Sequence, residues 1–417
     1  MPMLAFLPWL RITEPIREGQ FHLFPQGVSV APPDGVASKV SVETTGKVLS
    51  QYRDSPKRPL QVVTVLQYDG RPLGTDLDEA DRAAVFQFGK HLAVSGLSDR
   101  RFIGGFPDGY TAAGHYQVVI QAFTEPYRDS VSLTHRRKGG HTNVLMGHSD
   151  VHFVRPAHLV SQGEPNLNLR LLTALTTVAS LPQGIREHID ASVTQFLLAN
   201  SDSPDVSLEV ESIATYAALE RVSDASQRLQ DIQVKLPAIL AMVDDSPWAE
   251  LLHRELKLAA PSDRSVLHTW LQHMYRLRGN AAHGKPEHWQ SNGWSQQEHL
   301  VAGAFVYPLV LKCLLAKHRR YSLNEEDVAW VLGLEKLLGD RPFFEPPAES
   351  LDSNEPSDGA APDTLVVRDA QRPRMTRWQF QFENINNALF GLALSGTIRE
   401  TLSRLESDAL GGAMGDA

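Results

Sequence analysis

At 417 residues the chain exceeds one ordinary core, so two or three domains are expected. Its 42% hydrophobic and 21% charged residues are those of a globular protein rather than a disordered or collagen-like one. A formal charge of -9, from 40 Lys+Arg against 49 Asp+Glu, argues against coating nucleic acid by bulk charge, though a local basic patch is compatible with it.

The chain opens on "MPMLAFLPWL", apolar but with two prolines and no basic n-region, so no signal peptide is expected. Residues 1–165 read as a β-rich domain for sensing or partner binding. "LQVVTVLQY" (60–68), "YQVVIQAF" (116–123) and "DVHFVRPAHLV" (150–160) are β-branched and aromatic runs separated by turn-forming "PPDG", "YDGRPLG" and "GGFPDG". One helix, "TDLDEADRAAVFQFGKHLAVSG", interrupts them. Its Asp76, Asp78, Glu79 and Asp81 are read as first-turn acids facing the helix dipole rather than as metal ligands.

Residues 166–340 read as a helical bundle. "LNLRLLTALTTVASL" opens it. "PQGIREHIDASVTQFLLAN" puts Ile185, Ile189, Val193, Phe196 and Leu197 on one stripe. "DVSLEVESIATYAALERVSDA" aligns Leu208, Ser212, Thr215, Tyr216 and Leu219 behind Ser203-Pro204-Asp205 as cap material. "ASQRLQDIQVKLPAILAMV", "WAELLHRELKLA", "RSVLHTWLQHMYRLRGNAAHG" and "QQEHLVAGAFVYPLVLKCLLAKHRR" complete it, with short connections. The single cysteine, Cys313, lies in the last of these. It excludes an intramolecular disulfide and a thiolate zinc site, predicts a buried structural thiol, and suits a reducing cytoplasm. Pro, polar residues and Lys312 interrupt the apolar windows short of the ~18 residues a membrane span needs. Residues 341–365, including "PPAESLDSNEPSDGAAPD", form a flexible linker. The remainder, 366–417, is too short for its own core and is expected to dock elsewhere. The fold class is therefore multidomain α+β, with a β-rich domain, an all-α bundle and a short C-terminal segment.

The chemistry concentrates at the end of one helix. In "RSVLHTWLQHMYRLRGNAAHG", Leu267, Trp270, Leu271, Met274, Leu277 and Ala281 recur at helical spacing; Gly284 suits a C′ residue and Pro286 stops further winding. His283 then sits in the last turn, where exposed carbonyls favour its protonated form. Arg278, five residues earlier, is about 140° around an ideal axis, so the two groups do not converge within one chain. A twin helix across a two-fold axis would bring two arginines and two histidines into one cleft. Cutting RNA without a metal requires a base for the 2′-OH, an acid for the leaving oxygen and a cation for the phosphorane. Histidine supplies the first two near neutral pH and arginine the third. Histidine and arginine near a helix C-terminus are ordinary dipole partners, and composition alone favours that reading over a nuclease site.

"MYRLRGNAAHGK" resembles the Arg-x(4–6)-His signature of the HEPN superfamily, most closely its Apea-like branch. In that branch a helix ends in a Tyr-x-x-Arg-type run, a small polar pair, two apolar residues and His-Gly. Tyr275, Arg278, Asn280, Ala281-Ala282 and His283-Gly284 take those places, and the resemblance covers about 166–335. Gly279 departs from it, standing where a polar residue usually follows the arginine, and predicts a local bend with Asn280 taking over the polar role. The resemblance implies an all-α bundle dimerising through the 264–284 helix. It also implies a metal-independent endoribonuclease of RNA or tRNA, without cofactor, leaving a 2′,3′-cyclic phosphate. Such proteins recur among cytoplasmic toxins and anti-phage abortive-infection systems. Arg278 and His283 carry over as catalytic and Asn280 as supporting; Tyr275 is an RNA contact or core.

Outside the motif, Lys285, His288 and Trp289 offer a cation and an aromatic beside a cleavage site, or a solvated loop. "HRRKGG", with Arg136, Arg137 and Lys138, reads as a basic hairpin or loop that guides RNA phosphate, or a solvated turn. His148, Asp150 and His152 alternate along an expected strand and would suit a metal hydrolase, although alternation is commonplace there. Three function classes follow: the nuclease with an activator, such as a phage component, at the β-rich domain; a non-catalytic HEPN module that dimerises or binds RNA or nucleotide; and the metal hydrolase.

Overall fold

The computed structural model describes residues 2–55, 58–99, 111–123, 130–137, 140–147, 152–159, 165–245, 249, 265–284 and 293–339. The chain is mixed α+β: a β-sheet region comes first and several helices follow. The N-terminal part centres on an antiparallel sheet of β1 (Met3–Leu7), β2 (Ile16–Glu18), β3 (Phe21–Gly27), and two further strands, β6 (Val62–Tyr68) and β7 (Val119–Ala122). Their spatial order is β2-β3-β6-β1-β7. Helix α1 (Val42–Leu49) and strands β4 (Tyr52–Ser55) and β5 (Arg58–Pro59) lie between β3 and β6 in sequence. Two strands, β8 (Ser130–Arg137) and β9 (Gly140–Gly147), form a separate hairpin, and β10 (Phe153–Val154) pairs parallel with β4.

Alternation sorts the sheet's side chains onto two cores. Leu4, Phe6, Phe24, Val63 and Val65 pack with Val48 and Leu49 of α1 on one face. Ala5, Leu7, Phe21, Leu23 and Leu66 belong to the other face, whose core continues into the helices. Helix α2 (Glu79–Ser98) mediates that continuity. It is buried through most of its last three turns, from Phe88 and Gly89 to Gly96 and Leu97, as expected of a helix covered all round. Phe21 stacks on Phe88 at 4.1 Å, and at Gly96 an added Cβ would lie 1.9 Å from the Tyr116 hydroxyl. Asp78 caps α2 and Asp81 closes a capping box, so two of the first-turn acids act as caps; Asp81 also pairs with Arg71 at 2.5 Å.

The helical part comprises α3 (Leu169–Thr176), α4 (Gln183–Ala199), α5 (Leu208–Val222), α6 (Leu229–Leu240) and α7 (Ser265–Ala282). It ends with α8 (Gln296–Lys317), α9 (Glu325–Leu332) and α10 (Leu334–Gly339). Helix α5 packs on α4, α7 and α8, while α10 packs on α7. Helix α8 is long and apolar enough to cross a membrane, but 78% of that window is buried, which is the pattern of a central core helix. It carries Cys313, fully buried as expected. Across the join, Gln87 of α2 donates to Asp190 of α4 at 2.8 Å and Ser95 donates to the Asn168 carbonyl at 2.7 Å. Buried Lys312 meets Asp327 at 2.9 Å, and Asp327 also accepts from the Tyr321 hydroxyl at 2.9 Å.

Several expectations need correction. The interior strand β1 comes from the apolar opening, and α1 is a second helix within the β-rich part. Among the described residues 152–159, the strand expected over 150–160 is present only at Phe153–Val154, with exposed His152 preceding it. Ser203-Pro204-Asp205 forms a turn in which the Ser203 hydroxyl accepts from the Asp205 N–H; Ser207 caps α5. Leu208 consequently faces solvent, while Ser212, Thr215, Tyr216 and Leu219 are buried as their spacing predicts.

Candidate functional site at the end of the motif helix

Helix α7 follows from its apolar stripe. Leu267, Trp270, Leu271, Met274 and Leu277 are all buried, at the i, i+3, i+4 positions that fix which side faces the core. The helix runs unbroken through Gly279 to Ala282, so the expected bend is absent; a Cβ at Gly279 would meet nothing within 4 Å. At the C-terminus the His283 N–H lies 3.2 Å from the Gly279 and Asn280 carbonyls. Gly284 follows with φ +60°, the left-handed conformation glycine adopts at least cost. Winding therefore stops with the His283 side chain exposed just past the last turn.

Arg278 points the other way. Its guanidinium lies 3.5 Å from Glu220 Oε1 and 5.4 Å from the centre of the Tyr216 ring. Tyr275, one turn earlier, meets the same ring edge-on at 6.0 Å. Tyr216 and Glu220 stand four residues apart on α5, so one helix face presents both to α7. The Tyr216 hydroxyl and Glu220 Oε1 are buried without a hydrogen bond, which makes the Arg278–Glu220 contact a charge pairing. Burial pushes the Glu220 carboxyl above its ordinary range, with Arg278 and Arg221 opposing the push. Burial likewise raises the Tyr216 phenol, which stays protonated at any ordinary pH. Arg278 retains 25% side-chain exposure, while an aromatic face and a carboxylate engage its guanidinium.

No protein-family model, curated protein or solved structure matches the chain. The arrangement itself therefore has to carry the functional argument.

Of the sequence-predicted residues, Tyr275 and Arg278 share the Tyr216 contact, whereas His283 lies apart and exposed; Asn280 is half-buried on the last turn. Lys285, His288, Trp289, Lys138, His148 and Asp150 lie outside the described residues. Arg136 and Arg137 fall at the end of β8, opposite His141 and Gly140, so "HRRKGG" does lie in a hairpin. Among the described residues, no group of three His, Cys, Asp or Glu side chains could hold a metal ion. Sequence reasoning missed Glu220 as the partner of Arg278. The available signal was a lone acid one turn beyond Tyr216, beside a stripe otherwise destined for the core.

Proposed function

We propose that the chain is a metal-independent endoribonuclease of HEPN type, acting on RNA or tRNA as an effector of prokaryotic anti-phage defence. The observation that carries this reading is the disposition of the two motif residues. Arg278 is held on the α5-facing side of α7 with a quarter of its side chain exposed, and His283 is exposed beyond the end of the same helix. One copy leaves them divergent, as the helical geometry requires. A second copy packed along the exposed face of α7, past Gly279 where no atom stands in the way of close approach, would complete the site.

In that composite cleft His283 removes the 2′-OH proton or protonates the leaving oxygen, and Arg278 stabilises the phosphorane charge. Glu220 and Tyr216 hold the guanidinium in place before substrate arrives, which reduces the ordering left to binding. The β-rich part would receive the activator, such as a phage component, and Arg136 and Arg137 would contact RNA phosphate.

The engagement of Arg278 by Glu220 favours one second reading: a non-catalytic module of the same kind, dimerising or binding RNA or nucleotide. Expression in a bacterial host under its activating challenge separates the two. Growth arrest by the wild type, lost in both Arg278→Ala and His283→Ala, is expected of the nuclease. Equal toxicity of all three removes the catalytic assignment.

A further inference from the structure

Far from the motif helix in sequence, at one end of the sheet, lies a cleft lined by Trp9, Arg11, Asp54, Thr111, His115 and Arg155 among others. It encloses about 370 Å³ including its open mouth, and buried His115 forms part of its wall. Arg11 Nη2 lies 3.3 Å and Arg155 Nη1 3.7 Å from the Asp54 carboxylate, so two guanidiniums share one acid and the lining carries an excess positive charge.

His115 supplies the deciding observation. The side chain is only 4% exposed, and the Ala112 backbone N–H donates to its Nδ1 at 3.0 Å. Nδ1 also lies 3.2 Å from the Ala112 carbonyl; the shorter N–H contact selects the tautomer in which Nδ1 accepts and the proton sits on Nε2. Burial above all holds the imidazole below its ordinary range and hence neutral at pH 7; the Ala112 backbone contact opposes it, and the charge of Arg155 adds to the lowering. Nε2–H is thus a buried donor, and it has no hydrogen-bond partner. A buried donor without an acceptor beside two guanidiniums is costly unless an anion completes it.

We propose that this cleft binds a phosphoryl group. One of its oxygens takes the His115 Nε2–H, and the others meet the Arg155 and Arg11 forks. Three donor groups arriving from three elements suit a tetrahedral anion with three terminal oxygens better than a planar carboxylate. The site sits in the β-rich part and does not depend on the nuclease reading. Its sources are free phosphate or the phosphate of a small nucleotide, whose remainder would extend from the open mouth.

The test is calorimetric titration of the full-length chain with inorganic phosphate and, separately, with AMP, at constant ionic strength against chloride. It is run in the Arg278→Ala background so that the motif helix contributes no phosphate binding. His115→Asn is the informative variant: its amide oxygen can still accept from the Ala112 N–H, while the Nε2–H donor is gone. Saturable phosphate binding, weakened about tenfold or more by His115→Asn and by Arg155→Met, is expected. Arg11→Gln, at a half-exposed position, provides the same comparison should a buried variant not fold, with a smaller loss. AMP binding no tighter than phosphate identifies free phosphate as the ligand, and tighter AMP binding identifies a nucleotide. No saturable binding of either anion, or equal affinity in the wild type and all three variants, overturns the proposal.

Discussion

Arg278→Ala should destabilise the chain in a way that depends on pH, because the partner it abandons is an acid only 8% exposed. Burial already raises the Glu220 carboxyl, and Arg278 is the larger of two cations opposing that rise. Removing it raises the folded-state pKa further, and each added unit costs ~1.4 kcal/mol once the pH exceeds that pKa. A buried group left without its partner generally costs about 1–3 kcal/mol, and the 25% exposure of Arg278 places this case in the lower half. The sign follows from which state holds the proton more tightly. With the folded pKa above the ordinary 4.5 of an exposed glutamate, both states are protonated at lower pH and nothing is lost there. Stability falls as the pH rises from that value through the folded pKa, and it falls further in the variant. Urea unfolding at pH 4 and pH 8 should therefore show a small deficit at the first and about 1–2 kcal/mol at the second. Arg278→Ala/Glu220→Gln should recover most of it. An equal deficit at both pH values, or no recovery in the double variant, would refute the pairing argument.

Gly279→Ala should raise stability by up to ~1 kcal/mol, since the helix is unbroken there and the methyl meets open space; a lower thermal midpoint would count against this. Gly96→Ala should do the opposite by about 1–3 kcal/mol, because the Tyr116 ring occupies the methyl's place. Lys312→Met takes the cation from Asp327, itself 3% exposed, and should cost up to about 3–5 kcal/mol in chemical denaturation, less to the extent that the Tyr321 hydroxyl and the Asn324 N–H still satisfy the carboxylate. His91, which accepts from Gln87, is pushed down to about 4 by burial and then by Lys90. Stability should accordingly drop as the pH falls from 6.5 toward 4, by about 3 kcal/mol in all, and His91→Gln should flatten that slope; an unchanged slope would exclude His91 as its source.

Where one face of an element is apolar and the other polar, the sequence was legible. Leu267, Trp270, Leu271, Met274 and Leu277 oriented α7 correctly, and Gly284 marked its end. Strand β6 was read within two residues from its β-branched run. Strand β1 was missed because "MLAFL" is buried on both faces, so its four apolar neighbours show no alternation to detect. The short helices α9 and α10 contain too few turns for periodicity to register. At the site, Arg278 and His283 were visible as a motif, while Glu220 was not. Its role depends on α5 crossing α7 at one height, a tertiary fact that no spacing within either helix encodes. The glycine after the arginine was read as a bend, but the helix winds through it to Ala282.

The most direct test of the central claim is gel analysis of total RNA and tRNA incubated with the purified chain in EDTA, beside His283→Ala. That variant should fold normally, since the replaced side chain is exposed beyond the helix. The account predicts discrete fragments ending in 2′,3′-cyclic phosphate from the wild type and intact RNA from the variant. Fragments from both proteins alike, or cleavage that EDTA abolishes, would contradict it.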